Sequence, residues 1–143
     1  MLHQPTALSP ARAARAAALR RAILSDLAAD SRRGRAPAWL YAAVMVPRFA
    51  AGPRVLKIGV RSGRFNTRFR TKDYAGWKIS EIGSAAGDHI TIRQQEDALL
   101  AALAPFALDL GPDVPGGSEC ASYTTESLAV ARPFFPDKWR PRP

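Results

Sequence analysis

Two runs of strand-forming residues lie close together in this chain, Trp39–Val46 and Val55–Val60. The segment between them, Pro47-Arg48-Phe49-Ala50-Ala51-Gly52-Pro53-Arg54, carries two prolines and a glycine. Strands joined by so short a loop pair antiparallel, because a parallel return needs a crossover of a dozen residues or more. The pair therefore predicts a hairpin with a longish connection. Side-chain alternation sorts this hairpin into two faces. Leu40, Ala42, Val44 and Val46 share a face of the first strand, as Leu56, Ile58 and Val60 do in the second. Tyr41, with Ala43 and Met45, then lies on the side that Lys57 and Gly59 occupy. A tyrosine beside a lysine is routine in half-exposed sheets, so the juxtaposition by itself assigns no role.

The rest of the chain supplies helices around that hairpin. Ser9-Pro10 before an alanine-rich stretch reads as a helix start with Ser9 as N-cap, running to about Asp30, with Leu19, Ile23 and Leu27 as its apolar stripe. Ser31 to Pro37 breaks it as a basic linker. Ser62 can cap a helix through about Thr71, with Phe65 and Phe69 as an i,i+4 pair. Trp77 to Ile82 is a third strand. Gly87-Asp88 opens a long helix from His89 to about Ala104, which Pro105 closes. Asp109 to Gly117 reads as loop, Thr124 to Ala131 as a short helix, and Pro136 to Pro143 as too proline-rich to be regular. The order α-ββ-α-β-α-α predicts a small α+β domain. It divides into a basic N-terminal helix and linker (residues 1–35), a folded domain (36–135) and a tail (136–143).

Charge narrows the partner. The 143 residues hold 21 Lys+Arg against 12 Asp+Glu, a formal net charge of +9, while 47% are hydrophobic, enough for a core. Such a surplus favours an anionic polymer, nucleic acid foremost, although a chain rich in Ala and Arg can also be basic through codon bias. One cysteine, Cys120, and two histidines, His3 and His89, exclude an intrachain disulfide and a four-ligand zinc site. A metal here would be a hard cation on carboxylate oxygen and water. No apolar run reaches membrane-spanning length, and a cytoplasmic location is expected, with a secreted effector left open.

Two further patterns carry chemistry. Arg64, Arg68 and Lys72 fall at i, i+4 and i+8, a basic stripe beside the phenylalanine pair. On the long helix, Ile92, Leu99, Leu100 and Leu103 define the apolar face, and Glu96 belongs to it. A carboxylate there is costly unless a cation or a metal faces it. It is either the buried partner of Arg68 or Lys57, or a ligand. Asp97 points outward and can pair with Arg93.

In order and spacing these positions resemble the GIY-YIG nuclease family. Trp39-Leu40-Tyr41 stands at the first motif and Lys57-Ile58-Gly59 at the second. Asn66-Thr67-Arg68-Phe69 looks like the family's arginine helix, and Gln95-Glu96-Asp97-Ala98-Leu99-Leu100 like its glutamate helix. The likeness spans roughly residues 38–104. Trp39 replaces the first glycine and Lys57 the second tyrosine, which is closer to phage-type or restriction-type members. Gly117-Ser118-Glu119 is similar to a C-terminal element of phage-type members. The resemblance implies a three-stranded antiparallel sheet flanked by helices and hydrolysis of DNA phosphodiester bonds, with RNA left open. Tyr41 is the expected base, Lys57 its neighbour at the phosphate, and Arg68 the stabiliser of the charged transition state. Glu96 is the expected ligand of one Mg²⁺ or Mn²⁺, Gly59 a structural position, and Arg61, Arg64 and Lys72 contacts to nucleic acid. The alternatives are a non-catalytic nucleic-acid-binding module of the same fold, or a nuclease toxin or effector.

Overall fold

A computed structural model describes residues 5–49, 51–65, 74–111 and 117–143. The hairpin is present as drawn from the alternation: β2 (Pro37–Pro47) runs antiparallel to β3 (Val55–Arg61), with Tyr41 opposite Gly59 and Ala43 opposite Lys57. β4 (Trp77–Asp88) lines the other side of β2 and runs six residues further than its strand-like composition suggests. A register shift between Ala42 and Ala43 marks a bulge in that pairing.

The chain is α+β, but its sheet is larger than the expected three strands. β1 (Thr6–Ala7), β5 (Ala107–Asp109) and β6 (Cys120–Ser122) add to the outer side of β3, giving the order β1-β5-β6-β3-β2-β4, antiparallel throughout. The physical reason is edge satisfaction: β3 presents open N–H and C=O groups that a short segment can pair. Asp109, expected in a loop, is therefore the last residue of a strand.

Helices pack onto this sheet. α1 (Pro10–Ala29) starts on the expected cap, with Ser9 Oγ accepting from the Arg12 N–H at 3.2 Å. Leu27 is buried, but Leu19 is 67% exposed, contrary to the expected stripe. Two i+4 steps on a 3.6-residue helix rotate by about 80° in total, so Leu19 turns away from the face that Leu27 buries. The stretch expected to be plain linker holds one helical turn, α2 (Ser31–Gly34), capped by Asp30. α3 (His89–Ala102) is capped by Asp88, whose carboxylate accepts from the Thr91 N–H at 2.8 Å and is held below its ordinary range by that bond. α4 (Thr125–Ala131) follows Thr124, which forms a reciprocal cap with Ser127. The helix expected from Ser62 to Thr71 falls mostly outside the described residues. No helix among the described residues is long and apolar enough to cross a membrane.

Two cores result, one per sheet face. Leu40, Ala42, Val44, Leu56, Ile58 and Val60 meet Ile92 and Leu99 of α3 and Leu103 just after it, together with Phe135. Met45, Val55, Tyr74, Trp77, Leu110 and Cys120 form the second. Each fully buried aliphatic or aromatic side chain contributes about 1.5–3 kcal/mol.

The tail is more ordered than its prolines suggest. Trp139 bridges to Gly83, the Ser84 N–H donates to Lys138 O at 3.2 Å, and the Arg140 N–H donates to Ile82 O at 2.6 Å. Phe135 and Trp139 stack at 5.4 Å. A side chain at position 83 would meet them, since a Cβ there would lie 2.8 Å from Trp139 Cε3. The glycine lets the aromatic pair lie flat on β4.

Candidate nucleic-acid interface

The hairpin places Tyr41, Gly59 and Lys57 together. A Cβ on residue 59 would come within 2.6 Å of the Tyr41 ring carbons Cε2 and Cζ, so the ring lies across Gly59 and needs a glycine beneath it. Phe65 stands edge-on to the same ring, centroids 5.4 Å apart. Tyr41 and Lys57 are both 0% exposed. Lys57 Nζ donates to Ile58 O at 3.0 Å and pairs with Glu119 Oε2 at 3.3 Å. Burial pulls the Lys57 ammonium down, but Tyr41, Glu119, Cys120 and Tyr74 pull harder the other way and hold it above its ordinary value of 10.5. Glu119 is the carboxylate of the four, and its ion pair is what keeps the ammonium inside.

Glu96 is 1% exposed on the stripe of α3 that carries Ile92 and Leu99. Among the described residues its bonded partner is not Lys57 but Arg93, one turn back, with Nη1 at 3.3 Å from Oε1; the other expected partner, Arg68, lies outside them. Asp97, the partner expected for Arg93, pairs instead with Arg20 of α1 at 2.8 Å. Burial pushes the Glu96 carboxyl up, and the charge of Glu119 adds to it. Arg93 and Lys57 oppose the rise without cancelling it. Glu96, Glu119 and Lys57 therefore act on one another electrically.

Arg93 links this buried group to the surface. Its Nε donates to His89 Nε2 at 3.3 Å, and both side chains line a recess of about 350 Å³ with Arg61, Ser62, Gly63 and Arg64. Burial and the charges of Arg93 and Arg33 hold the His89 imidazolium below its ordinary range, so the ring is neutral and accepts. Arg61 is braced from behind by Glu81 at 3.0 Å and lies over the Trp39 ring at 5.2 Å. The recess wall thus carries three arginines and no acid, while the balancing carboxylates, Glu81 and Glu96, are not part of the lining. Guanidinium groups in that arrangement suit phosphate oxygens.

The structure brings Tyr41, Gly59 and Lys57 together, puts Arg61 and Arg64 in the recess, and joins Glu96 to that recess through Arg93. Arg68 and Lys72 lie outside the described residues. Glu119, His89 and Arg93 were not among the expected site residues. Glu119 had a signal in its Gly-Ser-Glu context, and Arg93 in its i−3 spacing from Glu96. His89 had none. Among the described residues no three His, Cys, Asp or Glu side chains gather as a metal cluster. No family model matches this chain, and neither a curated protein nor a solved structure matches it.

Proposed function

We propose that this chain is a metal-dependent endonuclease of the GIY-YIG type that hydrolyses DNA phosphodiester bonds beside the arginine recess. The observation that carries the reading is Glu96, a carboxylate buried to 1% and connected by Arg93 to a wall of arginines. Packing alone favours an aliphatic side chain at that position. Glu96 fits a hard cation such as Mg²⁺ or Mn²⁺: it offers oxygen, and its carboxyl is pushed up by burial and by Glu119, which a neighbouring cation would relieve. One carboxylate suffices, because Mg²⁺ keeps several waters and takes phosphate oxygens as further ligands. When bound, the ion would supply charge stabilisation at the phosphoryl and leaving oxygens.

The chain's own residues supply the rest. Arg61 and Arg64 hold the phosphate backbone, and Arg68 and Lys72 are proposed to extend that contact. Lys57 stays protonated beside Tyr41, whose Oη is the proposed acceptor of the attacking water's proton. Arg68 is the proposed stabiliser of charge on the phosphoryl oxygens. The burial of Tyr41, Lys57 and Glu96 favours a second reading, a nucleic-acid-binding module of the same kind without hydrolysis.

Supercoiled plasmid separates the two. Under the nuclease reading, Mg²⁺ gives nicked and linear forms, EDTA abolishes them, and Glu96→Gln loses cutting while it still binds duplex. Binding with no Mg²⁺-dependent cutting by the wild-type chain selects the second reading.

A further inference from the structure

In the ligand-free chain Arg93 serves Glu96 and His89, which take two of the five N–H donors a guanidinium carries. The same side chain lines the recess and is a quarter exposed, whereas Glu96 is enclosed. Arg93 therefore stands between a buried carboxylate and an opening shaped for an anion. A phosphate entering the recess competes with Glu96 for one cation. Arg61 and Arg64 share the wall, so the phosphate meets converging donors.

We propose that Arg93 changes partner: a nucleic-acid phosphate in the recess draws the guanidinium off Glu96, and the freed carboxylate is then open to a divalent cation. This rests on the reading above and deepens it, making Arg93 a positioning residue that couples anion and cation binding. The coupling is reciprocal, as any linkage between two ligands must be. Before the phosphate arrives, Arg93 occupies the carboxylate and excludes the cation. After it arrives, the carboxylate has lost its bonded partner in a buried setting, and a cation or a proton takes that place. A second consequence follows without metal: removing the Glu96 charge releases Arg93 to the recess and tightens phosphate binding.

Four proteins test this in EDTA with a short DNA duplex: wild type, Glu96→Gln, Arg93→Gln and the double variant, each first checked for a cooperative melt. Glu96→Gln is expected to bind the duplex about tenfold tighter than wild type. In the Arg93→Gln background the same substitution is expected to change affinity less than twofold. In a separate arm, electron paramagnetic resonance of Mn²⁺ without nucleic acid is expected to show tighter binding to Arg93→Gln than to wild type, and loss of that gain in the double variant. Should Arg93→Gln melt too low to measure, the double variant, which strands no charge, compared with Glu96→Gln still reads the Arg93 contribution. Equal tightening in both backgrounds would overturn the exchange, since it would mean only that a negative charge near the phosphate is gone; nucleic-acid binding would stand. No duplex binding by the wild type at low salt would overturn the nucleic-acid reading itself and the exchange with it.

Discussion

Replacing Glu119 by glutamine tests the ion pair that keeps Lys57 inside the sheet. Lys57 is 0% exposed and Glu119 22%, so the variant strands an ammonium that cannot reach water without breaking β3. Removing one partner of a buried pair costs about 3–5 kcal/mol. The carbonyl of Ile58 still accepts from Nζ and Glu119 is partly solvated, so the lower end, about 3 kcal/mol, is expected. For a chain of this size that is about 6–12 °C in melting temperature. Lys57→Met in the Glu119→Gln background removes the stranded charge and should recover much of the loss. The pH dependence is expected to differ between the two proteins. In the wild type the ammonium is held above its ordinary 10.5, so its contribution is present below that pH and is lost as pH rises beyond it. The variant lacks the Glu119 pull and keeps that of Tyr41, so less of this contribution remains to be lost above 10.5. Urea melts from pH 7 to about 12, spanning the lysine range, measure both. A melting temperature within 2 °C (roughly 1 kcal/mol) of wild type, or a double variant whose losses simply add, would refute the argument.

Cys120 is buried, and burial raises its thiol from 9.0 to about 12, against the opposing pull of Lys57 and with smaller upward pulls from Glu119 and Asp109. Reaction with a thiol reagent at pH 8 should be slow in the native chain and fast in urea, and the thiol's share of stability should be present below pH 9 and fade between there and about 12; rapid native labelling would contradict its burial. Gly59→Ala forces a methyl into the Tyr41 ring and should cost about 1–3 kcal/mol or more, read by thermal melting; wild-type stability would mean that the ring does not lie across residue 59. Duplex affinity should fall log-linearly with salt at a slope of about −2.7 if Arg61, Arg64 and Arg93 each contact one phosphate, and a flat response would exclude backbone contact by the recess.

The hairpin was legible because β2 and β3 are long enough for alternation to show. The second half of β4 was not. Gly83-Ser84-Ala85-Ala86-Gly87 has poor strand propensity, and pairing to β2 and the Trp139 cover hold it extended. β1, β5 and β6 are two or three residues each, too short to carry a period. At the candidate site, the faces of Tyr41, Lys57 and Glu96 followed from spacing alone. The partners did not, because Asp97 is taken by Arg20, 77 residues away, and Lys57 by Glu119, 62 away. Local spacing offered Arg93 two acids, and only the packing of α1 on α3 decides between them.

The two outer strands of the sheet differ greatly: β1 has two residues and β4 has twelve. A long outer strand is a template on which another copy of the chain can add itself, and growth from such an edge has no natural stopping point. Lys138, Trp139 and Arg140 occupy the middle of that edge by bonding to Ser84, Gly83 and Ile82. Tyr123 anchors the segment beyond them through Arg142 at 2.8 Å. A chain clipped after Phe135 would keep most of its core yet bare this template, along with the Gly83 surface that Trp139 covers. Its failure would be fibrous or amorphous self-association that rises with concentration, and the last residues act as the sheet's built-in stop.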